Sequence, residues 1–223
     1  GGAVELVEVE NSALFNSANS EYLSRTLGAG NVDVWTFSTW YYIGDGTSGS
    51  LLFSGTDTSN FTAVEVNGDG RFVYIQKDAA ATTDNLQTSA QMRDIGWYHL
   101  VCAVKTTDAI DTNRVKMYIN GTLQTSFSTT NYPAQNVDTD INGATAHYIG
   151  SRLGSSEFSD SYMAETVFID GTQYAATDFG EFDTTGNYWT PKSSDDIKAL
   201  TFGTNGFYLS NETVLSGDMT TFV

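Results

Sequence analysis

The sequence predicts an all-β protein, an antiparallel sandwich or barrel with one short helix near its C-terminal end. Three observations carry this. Short runs of alternating apolar and polar residues follow one another almost without pause, as half-buried strands do. Turn signals punctuate them at Gly44-Asp45-Gly46, Asn67-Gly68-Asp69-Gly70, Asn120-Gly121, Asn142-Gly143 and Asp170-Gly171. The 223 residues include 21 glycines and only 2 prolines, a balance that suits many tight turns.

In chain order the strand-like runs are SALFNS, EYLSRTL, VDVWTFSTWYYI, SLLFSG, FTAVEVN, RFVYIQK, WYHLVCAVK, RVKMYIN, LQTSFS, AHYIGSR and YMAETVFIDGTQY. The best defined pair spans 115–127. Val115, Met117 and Ile119 alternate with Lys116 and Tyr118, and Asn120-Gly121 is the strongest short-range hairpin signal, because a type I′ turn needs positive φ at both central residues. A two-residue turn sets Tyr118 opposite Leu123 and leaves Val115, Met117 and Ile119 on the other face. In VWTFSTWYY, Trp35, Phe37 and Tyr41 share one face and Trp40 and Tyr42 the other. SSDDIKAL, at 193–200, is the expected helix, with Ser193 or Ser194 as cap and acids in the first turn. Residues 78–92, 105–113, 128–146 and 152–160 are polar and are expected to be the longer loops.

Composition removes several functions. The formal charge is −17, from 27 acidic and 10 basic residues, and no basic stripe is present, so nucleic-acid binding is not expected. No stretch approaches the eighteen or so consecutive apolar residues of a membrane-spanning helix. The opening GGAVELVEVENS has no apolar run behind basic residues, so no signal peptide is expected. It also lacks an initiator Met, from which a processed or excised piece of a longer chain is expected. Cys102, the single cysteine, sits in the alternating run HLVCAVK and is expected in the core.

The order of the landmarks is the order of a known family. SALFNSANSEYLSRT, WTFSTWYY, GWYHLVCAVK, VKMYINGTLQTSF, AHYIGSRLG and FSDSYMAETVFIDG resemble a laminin-G-like domain, whose fold is the jelly roll of the concanavalin A-like lectins and glucanases. Leu14 to Asn16, Trp35 to Trp40, Trp97 with His99, Tyr118 with Asn120-Gly121, and Ile149-Gly150 occupy the family's marked positions. YLSRT, AHYIG, GEFD followed by Trp189 to Lys192, and GTNGFYL are similar to a branch found in marine bacteriophage virion proteins. The resemblance covers about residues 10 to 209; FYLSNETVLSGDMTTFV departs from it. It implies a two-sheet antiparallel jelly roll over 11–190, a lead-in at 1–10, and a C-terminal helix, closing strand and arm over 191–223. It also implies Trp35 and Phe37 in the core, and Trp97 is expected as a core plug beneath the Asn120-Gly121 turn.

The implied role is a non-enzymatic virion component on the capsid exterior or tail, made in the host cytoplasm and present in many copies or as a homo-oligomer. Its partners would be other virion proteins and a host-surface glycan, through adhesion. The alternative is a purely structural capsid decoration, fibre or cement. For glycan binding the candidates are Trp40, Tyr42 and Tyr74, an aromatic platform on which sugar C–H faces could stack. For calcium they are Asp138, Asp140 and Asn142, alternating oxygen ligands in one loop. A glycoside hydrolase is the remaining alternative. Retaining hydrolysis needs two carboxylates about 5 Å apart, and Glu181-Phe182-Asp183 is the nearest match to the glucanase pattern but lacks its second Glu. Glu165 and Glu65 have no spaced carboxylate partner.

Overall fold

The computed structural model describes residues 12–44, 48–79 and 81–210. The lead-in at 1–10, the turn residues Asp45 and Gly46, and the arm beyond Ser210 lie outside the described residues. Sixteen strands are present in these segments: β1 (Ala13–Phe15), β2 (Leu23–Thr26), β3 (Val34–Ile43), β4 (Gly49–Asp57), β5 (Asn60–Val66), β6 (Phe72–Asp78), β7 (Ala81–Thr88), β8 (Gly96–Lys105), β9 (Val115–Ile119), β10 (Thr122–Leu123), β11 (Phe127–Asn131), β12 (Ala146–Ile149), β13 (Ser161–Asp170), β14 (Gly180–Phe182), β15 (Trp189–Pro191) and β16 (Phe207–Leu209). Two short helices, α1 (Asp111–Arg114) and α2 (Ser194–Lys198), accompany them.

The strands form two antiparallel seven-stranded sheets and one small hairpin. The first sheet runs β1-β13-β3-β8-β9-β10, with β16 also paired to β13; the second runs β11-β7-β6-β5-β4-β12-β2; β14 and β15 pair separately. Of the sandwich or barrel that the alternation predicts, the structure is the two-sheet antiparallel sandwich that the resemblance implies. Its inner faces meet in one core, in which Trp35, Phe37, Tyr41, Leu100, Cys102 and Met117 of the first sheet pack on residues such as Leu51, Val64, Phe72, Tyr74 and Leu86 of the second. Trp35 and Tyr74 lie 6.5 Å apart across this interface. Burial pushes the Cys102 thiol well up, as a small apolar core residue requires.

Local signals decode as expected where they are strong. Asn120 (φ 46°) and Gly121 (φ 76°) both sit in the left-handed region, and Leu123 faces Tyr118. Ser193 caps α2, its hydroxyl accepting from the Asp196 amide at 3.2 Å. The expected loop at 78–92 is corrected: residues 81–88 form β7, paired to β6 on one side and β11 on the other. Its sequence ATTDNLQT carries one large apolar residue, Leu86, and its inward positions also hold buried Asp84 and Thr88, so hydrophobic alternation does not reveal it. Residues 129–131, within another expected loop, extend β11 beyond Phe127; they are exposed polar residues, so no apolar alternation marks them.

Candidate functional site

The outer face of the first sheet holds the site, and one of its two ends is covered. After β13 the chain turns back across that face. Val101, Val167 and Ile169 of the sheet meet Ala176, Phe179 and Ile197 of the returning segment in a second apolar cluster, flanked by Tyr118, Tyr174, Trp189, Leu200, Phe202 and Tyr208. Residues 171–202 therefore roof the end of the sheet at which β3 begins, before β16 rejoins the sheet beside β13.

Two polar knots fasten this roof. Asp170, at the end of β13, accepts from the amides of Asn31 (3.0 Å), Thr204 (3.1 Å) and Asn205 (3.2 Å) and from the Asn142 side-chain amide (2.6 Å). These donors hold its carboxyl below the usual range despite the opposing effect of burial. The second knot is His99 in β8. The Trp189 indole N–H, which can only donate, reaches His99 Nδ1 at 3.0 Å, so Nδ1 is unprotonated and Nε2 carries the proton toward Ser38 Oγ at 2.8 Å. Trp40 stacks on the same imidazole with 5.1 Å between centroids. Asn120 completes the clamp: its side-chain oxygen accepts from the His99 amide at 2.8 Å and its own amide donates to the His99 carbonyl at 2.9 Å. Complete burial holds the imidazole neutral, down to about 3.

The aromatic under the Asn120-Gly121 turn is therefore Trp189, not Trp97. A Cβ on Gly121 would stand 2.5 Å from the Trp189 ring, whereas Trp97 is 40% exposed. The expectation of Trp97 as a core plug is overturned because Trp97 points to the outer face, opposite the core-facing Tyr98.

The candidate platform is corrected in the same way. Tyr74 is fully buried between the sheets, its hydroxyl donating to Gln76 Oε1 at 3.1 Å, and it belongs to the opposite sheet. Trp40 does lie on the outer face of the first sheet but is only 8% exposed, closed in by His99 and the roof. Tyr42 alone of the three lies at the bare end, and the structure gives it different companions. Leu14 pairs with Tyr162, and Met163 with Tyr41, so Tyr162 stands beside Tyr42; Tyr42 in turn pairs with Trp97. Leu14, Tyr162, Tyr42 and Trp97 thus form one row across β1, β13, β3 and β8. Tyr42 meets Trp97 at 5.5 Å and 71°, and Tyr162 at 6.1 Å and 88°. Tyr162 is 42% and Leu14 44% exposed. Sequence reading missed Trp97 and Tyr162 because which end of a strand is roofed depends on a later segment, which begins more than seventy positions after Trp97 and folds back over the opposite end of β13 from Tyr162.

The calcium candidates do not come together as a set. Asn142 is fully buried and its amide is spent, donating to the Asn31 carbonyl and to Asp170 and accepting from Asn205 at 2.8 Å. Asp140 accepts from the Thr62 hydroxyl at 3.1 Å, while Asp138 is exposed and offers its carbonyl to Gln76. No three His, Cys, Asp or Glu side chains converge among the described residues. The Asn142 side chain is thus turned away from Asp138 and Asp140 and engaged with Asn31, Asp170 and Asn205. Three of the carboxylates considered for hydrolysis are engaged, and Glu181 is exposed. Glu65 forms a two-pronged ion pair with Arg152 at 2.5 Å, Glu165 accepts from the Tyr208 hydroxyl, and Asp183 caps its own turn by accepting from the amides of Asn187 and Tyr188.

The second histidine is structural too. His147 Nε2 accepts from the Asn142 amide at 2.8 Å and Nδ1 faces the Thr145 carbonyl at 3.0 Å; burial lowers it to about 4.

Known proteins agree with this architecture. The structure resembles the native heptameric SAP-like pentraxin of Limulus polyphemus (TM-score 0.50, 15% identity, 75% of this chain and 80% of that one). It also resembles domains LG4-5 of the mouse laminin alpha1 chain (TM-score 0.51, 14% identity, 78% of this chain), of which it spans 44%. No curated protein matches in sequence. The family model of the concanavalin A-like lectin/glucanases superfamily, in its laminin-G form, matches residues 17–177. The chain belongs to the concanavalin A-like lectin/glucanases superfamily.

Proposed function

We propose that this protein is a non-enzymatic carbohydrate-binding module whose site is the bare aromatic row Tyr162, Tyr42 and Trp97, bordered by Leu14. The single observation that supports it most is that row. Three adjacent strands each spend an outward position on an aromatic side chain, in a part of the sheet that the rest of the described chain leaves open. Aromatic faces at a protein surface take up the C–H faces of sugars, while the phenol hydroxyls and the indole N–H at their rims can serve sugar hydroxyls. Elsewhere on this sheet face, comparable aromatics are roofed.

The setting of this activity, a bacteriophage virion displaying many copies toward a host surface, rests on the motif resemblance and is part of the proposal. Repetition on a particle would convert a weak single site into firm attachment. Affinity electrophoresis of the purified protein through gels containing neutral or acidic polysaccharides tests the reading. Retardation that disappears in Trp97→Ala and in Tyr162→Ala is expected. Unretarded migration in every gel would overturn it and leave the row as a packing face in a particle.

A further inference from the structure

Resting on that reading of the row, we propose that the ligand is a neutral, extended polysaccharide lying across the strands, with three consecutive sugar rings engaged and acidic glycans rejected. Direction comes from the register. The aromatics stand side by side on neighbouring strands, about 4.8 Å apart, rather than in line along one strand, so a stacked chain must run perpendicular to the strands. Length comes from the rings. Centroid steps of 6.1 and 5.5 Å take the row from Tyr162 through Tyr42 to Trp97, one step for each ring of an extended sugar chain.

The pattern of exposure adds detail. Tyr42 stands edge-on to both neighbours and is the more buried, so the accessible stacking faces are those of Tyr162 and Trp97, two steps apart. A β-1,4-linked chain turns successive rings over, and its first and third rings present equivalent faces. Tyr162 and Trp97 would stack on these, with the middle ring over Tyr42. Leu14 extends the apolar floor beyond Tyr162.

Charge selects the class. Exposed carboxylates lie near both ends of the row in sequence: Asp160 precedes β13, and Asp94 precedes β8. Arg93, the cation nearest to Trp97 in sequence, donates to Gln91 instead. With a chain charge of −17, a uronate or sialate chain would meet repulsion along its length.

Calorimetric titration of the full chain with β-1,4-linked cello-oligosaccharides and β-1,3-linked laminari-oligosaccharides of two to six units tests this, with oligogalacturonates of the same lengths as the acidic arm. Affinity for the neutral series is expected to rise at least tenfold from two to three units and then level off. Tyr162→Ala or Trp97→Ala should each reduce the trimer to the affinity of the dimer, and oligogalacturonates should bind at least tenfold more weakly. Row-dependent binding that favours the acidic series, or that shows no step at three units, would overturn this inference while leaving the binding site in place. Binding that survives both alanine variants, or no binding to any arm, would overturn the underlying reading as well. So would self-association abolished by the same variants.

Discussion

The two ends of one sheet face are built from the same kind of sequence and do different things. At one end of the outer face of the first sheet, Val101, Val167 and Ile169 lie under residues 171–202, and Trp40 is buried against His99, which Trp189 of that segment holds. At the other end, Tyr162, Tyr42 and Trp97 carry as much aromatic surface with nothing from the described chain above them. Exposed aromatic surface contributes little to folding and marks a contact surface, while the covered end stabilises the domain. The boundary falls at the His99 clamp, one register step from Tyr42 and Trp97. The comparison teaches that most of the family's marked residues in this region, Trp40, His99 and Asn120-Gly121, serve the roof, and that Trp97 alone of them stands in the open row proposed for binding.

The largest break expected is at the roof. Trp189→Ala would empty the space against Gly121 and Gly180 and leave His99 Nδ1 without its donor. A loss of about 3–5 kcal/mol is expected, read as a lower urea midpoint. Asp170→Asn should cost roughly 3 kcal/mol, because an amide cannot accept from all four N–H groups that converge there; thermal melting measures it.

Acid attacks the same end. His99 and His147 have folded pKa values of about 3 and about 4, both below the unfolded 6.5. The unfolded chain binds protons first, so the stability these residues contribute is present above pH 6.5 and is lost as pH falls toward 4 and then 3. Asp84 works in the opposite sense. Burial raises it to about 6, so its contribution is present below 3.8 and is lost as pH rises through 6. Two large histidine shifts outweigh the raised carboxyls of Asp84 and Asp140. A net loss on the order of a few kcal/mol between pH 7 and 4 is expected, checked by denaturant midpoints across that range.

Gly121→Ala is a milder probe. It sets a methyl 2.5 Å from the Trp189 ring at φ 76°, and about 1–3 kcal/mol should be lost, visible as a lower melting temperature. The smallest effect on stability belongs to the bare end, where Trp97→Ala and Tyr162→Ala should each change it by less than about 1 kcal/mol.

Much of the fold was legible and little of the site. Trp35 and Phe37 in the core, the Asn120-Gly121 hairpin and the Ser193 cap follow from local periodicity and turn chemistry, which act over a few residues. The β7 strand escaped because its core-facing positions include Asp84 and Thr88. The outward position of Trp40 and Tyr42 was also legible from alternation. Their different fates were not, because the roof comes from 171–202. Likewise the oxygen-rich loop at 138–142 gives no sign that Asn142 turns inward to Asp170 and Asn205, segments brought to it only by the closed fold. Local pattern sets which face a side chain takes, and distant chain decides whether that face is bare.

The most direct test is to compare Trp97→Ala with wild type in one experiment that reads both glycan binding, by retardation in a polysaccharide gel, and melting temperature. The account predicts that retardation is lost while the melting temperature stays within a few degrees of wild type. Unchanged retardation, or a collapse in melting temperature like that expected of Trp189→Ala, would contradict the division of this face into a structural end and a binding end.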